Sequence, residues 1–153
     1  MSSSMKLFGV IGASHCSPEI YELARQVGNA IAKTNAMLVC GGLGGVMEAA
    51  CRGAKEAGGL TIGILPGTDK SEANAYVDIP IVTGIRDARN TIIARTADGL
   101  IAVSGEYGTL SEIAFAKKFG KPVVCLRSWS FDSTIPQADE AEQAVAFFLG
   151  LLK

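Results

Sequence analysis

Short, nearly unbroken apolar runs alternate with segments of helical period along the whole chain. The runs fall at 7–12, 37–40, 60–65, 79–82, 99–103 and 122–126. Most lack the in/out alternation of a strand with one wet face, as expected where both faces are covered. Between them, apolar residues recur at helical spacing over 18–34, 46–57, 87–96, 110–119 and 138–152. Ser17-Pro18 opens the first of these with a cap and a first-turn proline, and Gly58-Gly59 and Gly120 close the second and fourth. Such alternation predicts an α/β fold: a doubly wound parallel sheet of about six strands in three layers, α/β/α, forming a single domain over residues 1–153. The polar stretch 127–137 reads as a connection, or a lid, ahead of the closing helix.

In right-handed βαβ units every strand's carboxyl end meets one edge of the sheet, where the next helix begins with free N–H groups and the positive end of its dipole. Ligands gather at that edge. The segments expected on it are 12–15, 41–45, 66–69, 84–89 and 104–109, and all five carry glycine, which lets amides approach an anion closely. The inference is a phosphate-bearing small ligand held by Gly12, Ser14, Gly41, Gly42, Gly44, Gly45, Gly105, Gly108 and Thr109, with Tyr107 as a ring able to stack on it. Absent motifs narrow the chemistry. There is no G-x-x-x-x-G-K-[ST], so no lysine reaches β/γ-phosphates. The turn Gly9-Val10-Ile11-Gly12-Ala13-Ser14 is not G-x-G-x-x-G, and no acidic residue ends the second strand to hold a ribose 2′-OH, which disfavours a conventional NAD dehydrogenase. The cluster 41–45 also admits a purely structural reading, as a tight turn packed against a helix.

Two charged side chains are candidates for chemistry. Arg89 shares a stripe with Ile92, Ile93 and Thr96, so its guanidinium falls on the inward face near a helix start, where a carboxylate or phosphate would compensate its charge. The alternative is a stem that packs while its head reaches water. Thr109-Leu110-Ser111-Glu112 fits a capping box, which would explain both end residues without chemistry. A carboxylate beside a phosphate cradle, however, repels the anion that the loop attracts, unless it acts on the ligand, and Glu112 is the second candidate. His15 and Glu106 lie on the same edge without a decided role.

Composition changes the picture mainly by exclusion. With 14 Lys+Arg against 15 Asp+Glu, the charge of -1 lacks the basic excess of a protein held by phosphate neutralisation on nucleic acid, so no nucleic-acid partner is expected. No run is long enough to span a bilayer, and the apolar stretch after Lys6 is too short for a signal peptide, so the expectation is a cytoplasmic protein without a membrane partner. Cys16, Cys40, Cys51 and Cys125 have neither C-x-x-C nor zinc spacing and read as reduced, packed thiols. The segment 145–152 is apolar nearly all round, more than one core face needs, and points to a homo-oligomer, a dimer or tetramer.

Gly41-Gly42-Leu43-Gly44-Gly45-Val46-Met47-Glu48, then Arg89, then Gly105-Glu106-Tyr107-Gly108-Thr109-Leu110-Ser111-Glu112 resembles the Lonely Guy (LOG) superfamily, also called lysine-decarboxylase-like. The segments 53–67 and 77–84 are similar to its molybdenum-cofactor carrier branch. The resemblance implies a Rossmann-like homo-oligomer that binds a nucleoside 5′-monophosphate. In the LOG branch it also implies metal-independent hydrolysis of the N-glycosidic bond, with no cofactor. Glu112 falls on the catalytic glutamate of the pattern P-G-G-x-G-T-x-x-E and Arg89 on the catalytic arginine of an R-K pair. This chain carries Asn90 in place of the lysine, Ser104 for the proline and Glu106 for the second glycine. The carrier branch implies instead a non-catalytic cradle for molybdenum cofactor or another phosphorylated pterin.

Overall fold

The computed structural model describes residues 5–152; Met1 to Ser4, on which the reading of the leader partly rests, lie outside the described residues. All seven strands run parallel, β1 (Leu7–Ile11), β2 (Met37–Cys40), β3 (Thr61–Leu65), β4 (Ile79–Val82), β5 (Gly99–Val103), β6 (Val123–Leu126) and β7 (Gln137–Ala138), in the order β4-β3-β2-β1-β5-β6-β7. The chain builds outward from β1 to β4 on one side and from β5 to β7 on the other. The order therefore reverses between β1 and β5, and a crevice opens outside the carboxyl ends of those two strands.

Five helices cover the sheet: α1 (Pro18–Ala32), α2 (Val46–Glu56), α3 (Asn90–Thr96), α4 (Tyr107–Lys118) and α5 (Ala141–Leu151). On one face, α1, α2 and α5 bury Leu23, Val27, Met47 and Phe148 against Phe8, Leu38 and Ile101 of the strands. On the other, α3 and α4 bury Ile93 and Ile113 against Ile11, Val39 and Leu100. Strands β5 and β6 are buried along their full length, which is why their sequences show no alternation. The three-layer α/β/α reading holds, with one more strand than expected.

The extra strand is β7. Its two residues are too short for any periodic signal and pair with Cys125 and Leu126. The stretch read as a loop or lid is thus partly a sheet edge, with Ile135 buried beneath it. Accordingly α5 starts at Ala141 rather than at 138. The segment expected as one helix from 87 is a 3₁₀ turn, Arg86–Arg89, followed by α3. Helix α4 starts at Tyr107, three residues before the expected 110, with Glu106 at its cap position. Ser17 caps α1 as expected, accepting from the Ile20 amide at 3.2 Å. All four cysteines are free thiols, with Cys40, Cys51 and Cys125 buried.

Candidate active site

A polar cleft of about 260 Å³ lies at the carboxyl ends of β1, β2 and β5, where the strand order reverses. Gly12, Ser14 and His15 line it from the loop after β1, Gly41 from the end of β2, and Asp87, Arg89 and Asn90 from the turn leading into α3. Helix α4 contributes Gly108, Thr109 and Glu112, with Glu106 at its cap position. Residues from four separate loops thus meet at one rim. A larger surface groove of about 800 Å³ runs along α1 and α5 and holds none of the candidate ligand-site residues.

The amino end of α4 is open. Glu106 makes no side-chain cap. The amides of Tyr107, Gly108 and Thr109 find no acceptor among the described residues, the first helical bond being Leu110 N–H to the Glu106 carbonyl at 3.0 Å. Open first-turn amides and the helix dipole make an anion site. The capping box does not form, because the helix starts earlier than its motif requires. Glu112 is therefore the sixth residue of the helix and not in the first turn.

That displacement places Glu112 on the inner side of α4. It is 7% exposed, and among the described residues its carboxyl accepts no hydrogen bond, yet no buried side-chain oxygen there is left enclosed without a partner. Its oxygens therefore open into the cleft they line. Burial pushes the Glu112 carboxyl up to about 8, against the pull of the Arg89 charge, with the Cys40 thiol adding to the rise. The repulsion that the sequence raised as an objection is removed at neutral pH, because this group is then mostly uncharged.

Arg89 is likewise 7% exposed. Its Nε donates to the Ile64 carbonyl at 2.9 Å and its Nη1 to the Asn90 side chain. No ion pair within 4.0 Å joins it to Glu112 or to any other carboxylate among the described residues. The inward position expected from the stripe is correct; within the described chain a backbone carbonyl and an amide, rather than a carboxylate, hold the guanidinium. Gly41 gives the guanidinium room, since a methyl there would lie 2.9 Å from Nη2.

Several residues singled out by sequence stand elsewhere. Gly42, Gly44 and Gly45 do not line the cleft; they pack against Leu65 and Gly63, Ser14, and Ala13 with Ser14, respectively. Gly105, at φ 107°, lies under Thr109 and shapes the turn into α4. Tyr107 is 80% exposed and points outward, its ring 5.8 Å from that of Trp129. Asn90 and Asp87 line the cleft without having been singled out as site residues. For Asn90 the departure from the R-K pair was the available signal; for Asp87 it was its place in the edge segment 84–89.

A model of the SLOG cluster4 family matches residues 5–149. The chain belongs to this family. An uncharacterized protein of Archaeoglobus fulgidus is 51% identical over 125 residues, 80% of this chain and 82% of that one. A cytokinin riboside 5′-monophosphate phosphoribohydrolase of Mycobacterium tuberculosis is 35% identical over 127 residues, 76% of this chain and 67% of that one. Among solved structures, the molybdenum cofactor binding protein of Rippkaea orientalis matches with a TM-score of 0.93 at 35% identity, over 99% of this chain and 100% of that one. The molybdenum cofactor carrier protein of Chlamydomonas reinhardtii matches with 0.86 at 37% identity, over 97% and 99%. The resemblance to the LOG superfamily and to its carrier branch holds, and the Rossmann-like fold with it. Among the described residues, no helix is long and apolar enough to cross a membrane.

Proposed function

We propose that the cleft binds a phosphorylated, nucleotide-like small molecule and hydrolyses the N-glycosidic bond of a nucleoside 5′-monophosphate. The observation that carries this reading is the buried Glu112 carboxyl, open to a cleft that also holds Arg89 and the uncapped start of α4. The amides of α4 and the Arg89 guanidinium hold the phosphate. Glu112, protonated at rest, gives its proton to a ring nitrogen of the base as the C1′–N bond breaks. The carboxylate so formed faces the positive charge developing on the ribose. Water then adds to C1′ and returns a proton to Glu112, leaving free base and ribose 5-phosphate. The test is incubation of purified protein with a panel of nucleoside monophosphates and chromatography for free base. Release of base by the wild type, with binding but no turnover in Glu112→Gln, supports the reading; no base from any nucleotide at high protein concentration ends it.

A second reading, a non-catalytic carrier of molybdenum cofactor or another phosphorylated pterin, is favoured by Glu106. Its exposed carboxylate sits at the start of α4, where the LOG pattern has glycine. Pterin fluorescence that copurifies with the protein supports it, and rapid turnover of AMP excludes it as the main role. In either reading we propose a homo-oligomer, since α5 leaves Phe147, Leu149 and Leu151 exposed. A monomer by light scattering at micromolar concentration overturns that part.

A further inference from the structure

We propose that Asn90 is a positioning residue: its carboxamide ties the Arg89 guanidinium to the first turn of α4, so that the cation and the open helix amides meet one anion as a single unit. That the anion is a phosphate rests on the function proposed above; the tie itself does not. Asn90 is 5% exposed and reaches in both directions. Its Oδ1 accepts from Arg89 Nη1, and its Nδ2 donates to Ser111 Oγ at 3.4 Å. Ser111 Oγ in turn donates to the Gly108 carbonyl at 2.6 Å. With Arg89 Nε on the Ile64 carbonyl at 2.9 Å, one chain of polar contacts runs from β3 through Arg89 and Asn90 to the turn that carries Gly108 and Thr109.

The chemistry of residue 90 matters as much as its reach. An arginine side chain free in a cleft samples many rotamers, and ordering it when a ligand arrives weakens binding. A carboxamide orders it beforehand without neutralising it, so the positive charge stays available. A carboxylate at the same place would make the same bond to Nη1 but cancel the charge that attracts the anion, and a lysine would repel the guanidinium. The bonds to Ile64 and Asn90 use Nε and Nη1 and leave Nη2, beside Gly41, for the ligand.

The decisive measurement is ¹⁵N relaxation of the Arg89 Nε–H in ligand-free protein, alongside calorimetric titration with AMP and with orthophosphate. We expect the wild-type Nε–H to be as ordered as the backbone, and to become mobile in Asn90→Ala and loosened in Ser111→Ala. AMP affinity should fall about tenfold in Asn90→Ala, the scale of one hydrogen bond to a charged group. Asn90→Asp should keep the Nε–H ordered and still bind AMP poorly, which a merely structural role for residue 90 does not predict. An Arg89 Nε–H equally ordered in all variants, or undiminished AMP affinity in Asn90→Asp, overturns the proposal. Should Asn90→Ala fail to fold, Ser111→Ala, at a half-buried position, carries the comparison. If the wild type binds neither AMP nor orthophosphate, the proposed function fails, and the relaxation data still decide the role of Asn90.

Discussion

Two glycine-rich loops precede helices at the same edge of the sheet, and they do different work. After β2, the glycines at 42, 44 and 45 admit other parts of the chain: the backbone of Ala13 and Ser14, and Gly63 with Leu65. The first amide of α2, on Val46, is taken by the Ala13 carbonyl at 3.0 Å. Before α4, by contrast, Gly108 has nothing within 4 Å of where a methyl would stand, and the neighbouring amides are open. Glycine permits close approach, but what approaches is decided elsewhere in the fold. At one loop it is the protein itself, and at the other it is solvent or a ligand.

The largest effect should come from the first loop. Gly45 has φ of 59°, and a methyl there would sit 2.4 Å from the Ala13 carbonyl oxygen. Gly45→Ala should cost about 3 kcal/mol in denaturant unfolding; a loss under ~1 kcal/mol would mean that the loop is not a packing device. Next is Glu112→Gln at the second loop. Because burial raises the carboxyl from its ordinary 4.5 to about 8, the native state keeps a proton that the unfolded chain loses across that window. Stability from this group is therefore present at low pH, declines as pH rises from 4.5 to 8, and is flat above. Glu112→Gln should be more stable than the wild type at pH 8, with the difference vanishing near pH 4. An equal difference at both pH values contradicts the assignment. Turnover that needs the protonated acid should likewise fall as pH rises through about 8.

Gly108→Ala sharpens the contrast from the other side. At a helical position with open space around it, alanine should leave stability unchanged or raise it by about 0.5–1 kcal/mol. Its methyl would enter the cleft rim, and affinity for AMP should drop roughly tenfold by calorimetry, about 1.4 kcal/mol. Lost stability with full affinity would reverse the roles given to the two loops. The smallest effect belongs to Tyr107→Ala. Its ring is 80% exposed and turned toward Trp129, so AMP affinity should stay within about 0.5 kcal/mol of the wild type. A larger loss would bring Tyr107 back as a stacking residue.

Much of the architecture was legible because it is local. The apolar runs at 37–40 and 99–103 are strands with those bounds, and the Ser17-Pro18 cap starts α1 as read. Two local signals misled. The Thr109 to Glu112 box resembled a helix start, yet α4 begins at Tyr107, since a cap motif matters only if the preceding backbone has not already turned helical. The strand at Gln137–Ala138 has two residues and pairs only because β6 lies beside it. The inward placement of Arg89 followed from its stripe. Its partners did not, because the Ile64 carbonyl is 25 residues away in the chain and nothing in the spacing says which carbonyl a guanidinium will meet.

The sequence by itself determined six of the seven strands, the five helices in outline and which loops gather at one edge, because side-chain periodicity and glycine or proline punctuation act over a few residues. Only the tertiary structure decided that the strand order reverses between β1 and β5, that Gly41 and Gly108 face the cleft while Gly42, Gly44 and Gly45 face the chain, and that Glu112 is buried deeply enough to hold its proton. Each of these depends on what packs from far along the chain. Burial, open amides and a shifted carboxyl are properties of that packing rather than of any residue taken alone.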